Sequence, residues 1–203
     1  MGLYTLTVGA EDEEALLEGI GIIETLKWKN PPVDAKPTLA MIDLGDFTLA
    51  VDPNMPGEIQ EKADQTSFFM AYPNYDENAE FHSNFNIVWT QAYDDVTAQD
   101  PEALTRQIME KTAAELADSG IAVDNLQFIQ AAVDEVDGKP ALFAMYAMDL
   151  DYSGTGYDLQ CTVVYAQVIT GSEEMGLYTF TAGATDEEGL MAGVNIIDTL
   201  KWK

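Results

Sequence analysis

The sequence has little of what most catalytic and nucleic-acid-binding proteins need. It has one cysteine and one histidine, Cys161 and His82, among 203 residues. An intrachain disulfide, a CxxC motif and a thiolate zinc site are therefore excluded, and any histidine-dependent catalysis would have to use His82, which no nucleophile motif accompanies. Only 9 Lys and Arg stand against 36 Asp and Glu, a net charge of −27. This balance argues against binding to nucleic acid or anionic lipid, which requires clustered basic residues.

Long apolar runs are missing as well. No stretch approaches the roughly 18 apolar residues of a membrane span, so we predict no membrane insertion by this segment. Hydrophobic residues nevertheless make up 47% of the chain and aromatic residues 10%. That is enough to bury a core, and it excludes a disordered chain despite the charge.

Comparing the sequence with itself reveals a repeat. Residues 1–29 align with residues 175–203 without a gap, and 20 of the 29 positions are identical. The second copy is typical of a β-strand followed by an amphipathic helix, with a Thr-x-x-Glu capping box at Thr185 and with Lys201 and Lys203 at the C-terminal end of the helix. One strand and one helix cannot bury a core alone.

We therefore predict a tandem array. Residues 1–29 would be the last strand and helix of a preceding, truncated unit, 30–37 a proline-rich linker, and 38–203 the complete domain. The alternative is an original N-terminal element that pairs with the C-terminal one, which would not require identity at exposed positions. Because a short connection precedes the second copy, we expect that copy to win the shared place in the domain. The first would then pair with a sheet edge, swap into another chain to give a homo-oligomer, or fray.

The order of elements in 38–203 predicts an α+β fold. Alternating apolar residues indicate strands in 39–51, 67–72, 85–91, 126–135, 140–150 and 157–169. Asp137-Gly138 is a hairpin signal, and Asp100-Pro101 starts a helix. Successive strands with few helices favour a central antiparallel sheet carrying the mid-chain and C-terminal helices.

Four segments of this unit carry a family resemblance. They are Val136–Ala141, Asn84–Val88, Gly176–Thr181 and Thr199–Trp202, and together they resemble the PsbP-like and DcrB-like family of secreted and lipoprotein domains. The resemblance implies an α/β/α sandwich, export to the bacterial envelope or thylakoid lumen, and no enzymatic activity. It brings no shared catalytic residue.

One segment matches the start of a calcium loop. Asp149–Gly154 fits D-x-D-x-[DNS]-G, in which Asp149, Asp151 and Ser153 would supply oxygen ligands. The twelfth position is Gln160 rather than Glu and the flanks predict strands, so an EF-hand is excluded. The alternative is a hairpin loop in which the same residues serve turn geometry.

Three aromatic residues are candidates for a groove that binds carbohydrate or peptide: Tyr75, Trp89 and Tyr93. Tyr75 lies in a Pro-Asn loop, where we expect exposure, whereas Trp89 falls on a strand alternation typical of core residues.

The sequence thus predicts a non-catalytic, extracytoplasmic repeat module of a bacterial cell-envelope or secreted protein, with a binding or spacer role and no cofactor. Its partners would be neighbouring repeat units or an envelope protein or glycan. A calcium-binding module is the second hypothesis, and a hydrolase dependent on His82 the third.

Overall fold

The computed structural model describes residues 40–52, 57–61, 67–73 and 75–203, all within the unit Thr38–Lys203. The elements are β1 Ala40–Asp43, β2 Phe47–Val51, β3 Gly57–Glu61, β4 Ser67–Ala71, β5 Asn84–Thr90, α1 Pro101–Asp118, β6 Ala122–Val136, β7 Lys139–Asp151, a 3-10 turn Ser153–Thr155, β8 Gln160–Ser172, β9 Gly176–Ala184, α2 Glu187–Ile197 and β10 Lys201–Trp202. The predicted truncated unit 1–29 and the linker 30–37 lie outside the described residues.

Seven of these strands form an antiparallel sheet in the order β3-β4-β5-β9-β8-β7-β6. The predicted hairpin is confirmed, because Val136 pairs with Lys139 across the turn. Asp137 and Gly138 both have positive φ there, 47° and 80°, as a two-residue hairpin turn of matching twist requires. β6 begins at Ala122, earlier than the predicted residue 126, and a register shift between Asp124 and Gln127 interrupts its pairing.

The two helices cover opposite faces of this sheet, which confirms the predicted α/β/α sandwich. Side chains alternate along a strand, so even and odd positions of β7 report on the two faces. Met109 of α1 packs in one cluster with Tyr146 and Met148. Ile196 of α2 packs in another with Ala141. We call these surfaces the α1 face and the α2 face.

Helix α1 starts as predicted. The Asp100 carboxylate accepts a hydrogen bond from Ala103 N at 2.8 Å, with Pro101 at the first helical position. The capping residue of α2, in contrast, is Asp186, which accepts from Gly189 N at 2.7 Å. The prediction of Thr185 at that position was therefore wrong by one residue.

A second sheet of three strands, β1-β2-β10, packs over the α2 face. β10 was not predicted, because the pattern assigned its residues to the end of the helix. Helix α2 instead ends at Ile197, and Lys201 and Trp202 pair with Thr48 and Phe47 of β2. Phe47, only 1% exposed, is the centre of an aromatic core. Its ring lies 5.1 to 5.3 Å from those of Tyr178, Phe180 and Trp202.

Candidate functional site

We call residues 175–203 the closing element, and the surface of residues 38–174 that they contact the seat. Among the described residues, this seat has the most extensive set of specific contacts. The closing element contributes β9, between β5 and β8, then α2 and β10. Its apolar side chains include Phe180 and Leu200, exposed by 0% and 1%. Burying side chains of this size contributes about 1.5–3 kcal/mol each, so apolar packing is the main source of attachment.

Polar contacts fix the register of the closing element. The Tyr178 hydroxyl donates to the Asp46 carboxylate at 2.6 Å, and burial, with the Asp46 charge, raises the pKa of Tyr178. The Thr199 hydroxyl accepts from Ala50 N at 2.9 Å. The indole nitrogen of Trp202 donates to Val136 O at 3.1 Å.

Asp137 joins the β6–β7 turn to the end of the chain. Its two carboxylate oxygens accept from Lys201 Nζ at 2.7 Å and from Trp202 N at 2.8 Å. The Lys201 hydrogen bond, followed by the Trp202 one, holds the pKa of Asp137 below its usual value. Sequence reasoning recognised this residue only as a turn former, because its partners lie 64 and 65 positions away.

The last residue of the closing element is held in the same way. Lys203 Nζ contacts the Asp43 carboxylate, and this hydrogen bond is the largest cause of a lowered pKa at Asp43. Sequence reasoning gave Lys201 and Lys203 a role at the C-terminal end of the helix; the structure gives them carboxylate partners in two separate hairpins, Asp137 in the β6–β7 turn and Asp43 at the end of β1.

The calcium-loop residues lie at the end of β7 with other partners. Asp149 accepts from Thr162 Oγ1 at 2.6 Å and from Asn125 Nδ2 at 3.0 Å. Asp151 accepts from Ser153 N at 2.8 Å and Gln160 Nε2 at 2.9 Å. These hydrogen bonds lower the pKa of both carboxyl groups.

The glycine of that motif has a packing role. A Cβ at Gly154 would collide with Gly120 O, in the turn after α1, so only glycine permits this approach. In the described residues no three His, Cys, Asp or Glu side chains gather as a metal-binding group. The hairpin-loop alternative accounts for the residues, and calcium binding through Asp149, Asp151 and Ser153 stays a prediction.

The three aromatic candidates fall in different places. Tyr75, 50% exposed, stacks on His82 at 4.7 Å in the loop before β5. Trp89 lies near the other end of β5, about 20 Å away by strand rise, where its indole donates to Met175 O at 2.7 Å and its ring packs against the α2-face core. The aromatic groove is thus not assembled from Tyr75 and Trp89 together.

Tyr93 lines a small cavity of its own. The volume is about 170 Å³, and its other lining residues are Asp95, Val96, Thr97, Pro140 and Gly171. Pockets for small molecules usually span about 300–1,000 Å³. This cavity is too small for a sugar or peptide ligand. Desolvation is the largest cause of a raised pKa at Tyr93, and the charges of nearby carboxylates raise it further.

The single cysteine and the single histidine of the chain are both partly buried. Cys161 is partly buried against the α1-face cluster, and burial raises the pKa of its thiol, which disfavours the nucleophilic thiolate. His82 Nδ1 is buried and has no hydrogen-bond partner among the described residues, whereas in a Ser-His-Asp triad that nitrogen donates to a carboxylate.

A polar strip on the α1 face was missed by sequence reasoning. Asn86, Thr181 and Gln167 are register neighbours on β5, β9 and β8. Gln167 Nε2 donates to Thr181 Oγ1 at 3.1 Å, while its Oε1 is buried and unpaired in the part of the chain that the structure describes. The available signal was a glutamine within the apolar run 163–169 of β8.

Comparisons with known proteins identify the fold. The solution structure of cyanobacterial PsbP (CyanoP) from Synechocystis sp. PCC 6803 superposes with a TM-score of 0.56, covering 87% of this chain and 99% of that one at 11% identity. The chain has the PsbP fold. The resemblance inferred from the four sequence segments is therefore confirmed for the architecture.

Two other solved structures are similar over comparable lengths. They are PA94 of Pseudomonas aeruginosa, a protein of unknown function (TM-score 0.46, 14% identity, 81% of this chain and 97% of that chain), and the Saccharomyces cerevisiae Ran-binding protein Mog1p (TM-score 0.47, 11% identity, 82% and 96%). No family model and no curated protein matches the sequence. No helix in the described ranges has the length and apolarity to cross a bilayer.

Proposed function

We propose that this PsbP-fold chain is a non-catalytic, extracytoplasmic repeat module of a bacterial cell-envelope or secreted protein. Each unit of the array is completed by its own closing element, and the array acts as a spacer that presents folded units to a protein or glycan partner. The proposed localisation follows the resemblance to the PsbP-like and DcrB-like domains, whose fold this chain shares.

One observation carries the repeat organisation. Five of the side chains that fix the closing element by polar contacts are Tyr178, Thr199, Lys201, Trp202 and Lys203. Their counterparts at 1–29 are Tyr4, Thr25, Lys27, Trp28 and Lys29, identical at every one of the five positions. Identity at residues that contact a separate part of the unit supports the proposal that 1–29 completes a second body of the same fold.

Charge supports the spacer role. A net charge of −27 makes copies repel one another, which favours solubility and disfavours collapse of neighbouring units.

The sequence that precedes Met1 in the gene tests the array. We expect a segment related to residues 38–174 directly before it, with acidic residues at the positions that correspond to Asp43, Asp46 and Asp137. An unrelated preceding segment would contradict the proposal.

A further inference from the structure

We propose that Ser83 and Gly189 form a steric lock through which the body of the unit, residues 38–174, accepts the closing element 175–203 and rejects the copy at 1–29. The inference rests on the proposed repeat organisation and deepens it, since it names what makes two nearly identical elements distinguishable. The lock would keep neighbouring units of an array from exchanging their last strands.

The contact lies where the first turn of α2 meets the residue before β5. Gly189 is buried there. A Cβ built on it would lie 2.8 Å from Ser83 Cβ, closer still to Ser83 Oγ, and 3.2 Å from Ala184 Cβ. Non-bonded carbons do not approach to 2.8 Å, and because Ser83 Cβ is itself involved, turning the hydroxyl away leaves the collision in place. The residue that corresponds to Gly189 in the first copy is Ala15.

Two more buried positions point the same way. Ala182 faces Gly193, where a Cβ would come within 2.6 Å of Ala182 Cβ, and the first copy has the larger Val8 in place of Ala182. Phe180 fills the space beside Phe47 at 5.3 Å, and the first copy has the smaller Leu6. The first copy is thus too large at two positions of this seat and too small at the third.

The buried differences between the two copies lie at packing positions and not at the positions of the polar contacts. Nine positions differ between the copies, and the three that are buried in the closing element are Phe180, Ala182 and Gly189. The other six are exposed or half-buried. The identical polar residues indicate that the two copies belong to seats of the same general type. The three buried differences indicate that the two seats are packed differently. The body served by 1–29 should therefore have a residue smaller than serine, or a displaced loop, at the position of Ser83.

Zero-length carbodiimide cross-linking of the full chain, followed by peptide mass spectrometry, tests the lock. Asp137 contacts Lys201, so an Asp137–Lys201 amide reports the C-terminal copy, and an Asp137–Lys27 amide, within or between chains, reports the first. We expect the Lys201 product to exceed the Lys27 product by about 10-fold or more. Equal yields in the unaltered chain would overturn the proposal.

Variants separate the lock from the advantage of a short connection. Gly189→Ala should lower the folding equilibrium constant about 10- to 100-fold, as overpacking of a core does, and should shift cross-links toward Lys27. Ser83→Gly in the same chain should restore most of both quantities, whereas Thr185→Glu, an exposed difference between the copies, should leave them unchanged. Failure of Ser83→Gly to rescue Gly189→Ala would overturn the lock without affecting the array, which is judged by the sequence upstream.

Discussion

The two faces of the seven-stranded sheet differ in how completely their buried polar groups are hydrogen-bonded. On the α2 face, rings and aliphatic side chains close over Phe47 and Phe180, and the Tyr178 hydroxyl reaches a carboxylate. On the α1 face, Gln167 Oε1 is buried without a partner among the described residues, and the Tyr146 hydroxyl faces Thr112 without a well-formed hydrogen bond. Both faces carry buried apolar clusters, but the α1 face differs in having buried polar atoms without a good partner in the described part of the chain.

The largest expected effect is on the α2-face core. Phe180→Ala should lower the free energy of unfolding by about 3–5 kcal/mol, because it removes a fully buried ring and leaves a cavity. Met148→Ala, an equally buried position on the α1 face, should cost about 2–4 kcal/mol. Denaturant titration measures both, and a smaller loss at Phe180 than at Met148 would reverse the ranking of the two faces.

Two hydroxyl deletions sharpen the comparison. Tyr178→Phe should cost about 1–2 kcal/mol, since it breaks a hydrogen bond to a carboxylate. Tyr146→Phe should be neutral or slightly stabilising, because it removes a hydroxyl whose burial raises its pKa to about 12 and which lacks a good partner. Equal losses in the two variants, measured by denaturant titration, would show that the α1-face hydroxyl is satisfied after all.

Substitutions in the polar strip should change the stability less, and the second substitution should offset the loss caused by the first. Thr181→Val should cost about 1 kcal/mol by depriving Gln167 Nε2 of its acceptor. Adding Gln167→Leu should return the stability to the starting value or above it, because both partners are then apolar. A double-mutant cycle by thermal and chemical unfolding checks this, and additive losses would contradict it.

The smallest expected effect is the loss of folding stability in acid that is linked to Asp137. Its folded pKa is lowered by Lys201, so the unfolded chain binds more protons near the ordinary carboxyl pKa. The contribution of Asp137 is therefore complete above about pH 4 and is lost as the pH falls through its folded pKa. Asp137→Asn should flatten the acid limb of a stability profile relative to Asp118→Asn, at the exposed end of α1. Parallel profiles would remove Asp137 from the acid response.

Local signals explain why α1 and the β6–β7 hairpin were predicted correctly. Asp100 caps a helix that begins one residue later, and the Asp137-Gly138 turn joins strands that are adjacent in sequence. The information needed for each element is contained within a few residues of it.

β10 could not be predicted in that way. It is short, and it becomes a strand because Phe47 and Thr48 lie beside it, and because the Thr199 hydroxyl meets Ala50 from 149 residues away. Separations of 64 and 160 residues likewise hid the carboxylate partners of Lys201 and Lys203. The contact surface of the closing element could therefore not be recognised as a candidate site, although the repeat itself was visible. Only the tertiary structure shows which repeated residues face a neighbour.

The position of β9 has a consequence for how the molecule is made. Within the unit the closing element comes last in sequence order, yet its strand lies between β5 and β8 in the middle of the sheet. A nascent unit emerging N-terminus first therefore exposes two unpaired strand edges until its final residues appear. Throughout that interval the unfinished sheet is open to any complementary strand nearby, and in the proposed array the neighbouring units would supply such strands.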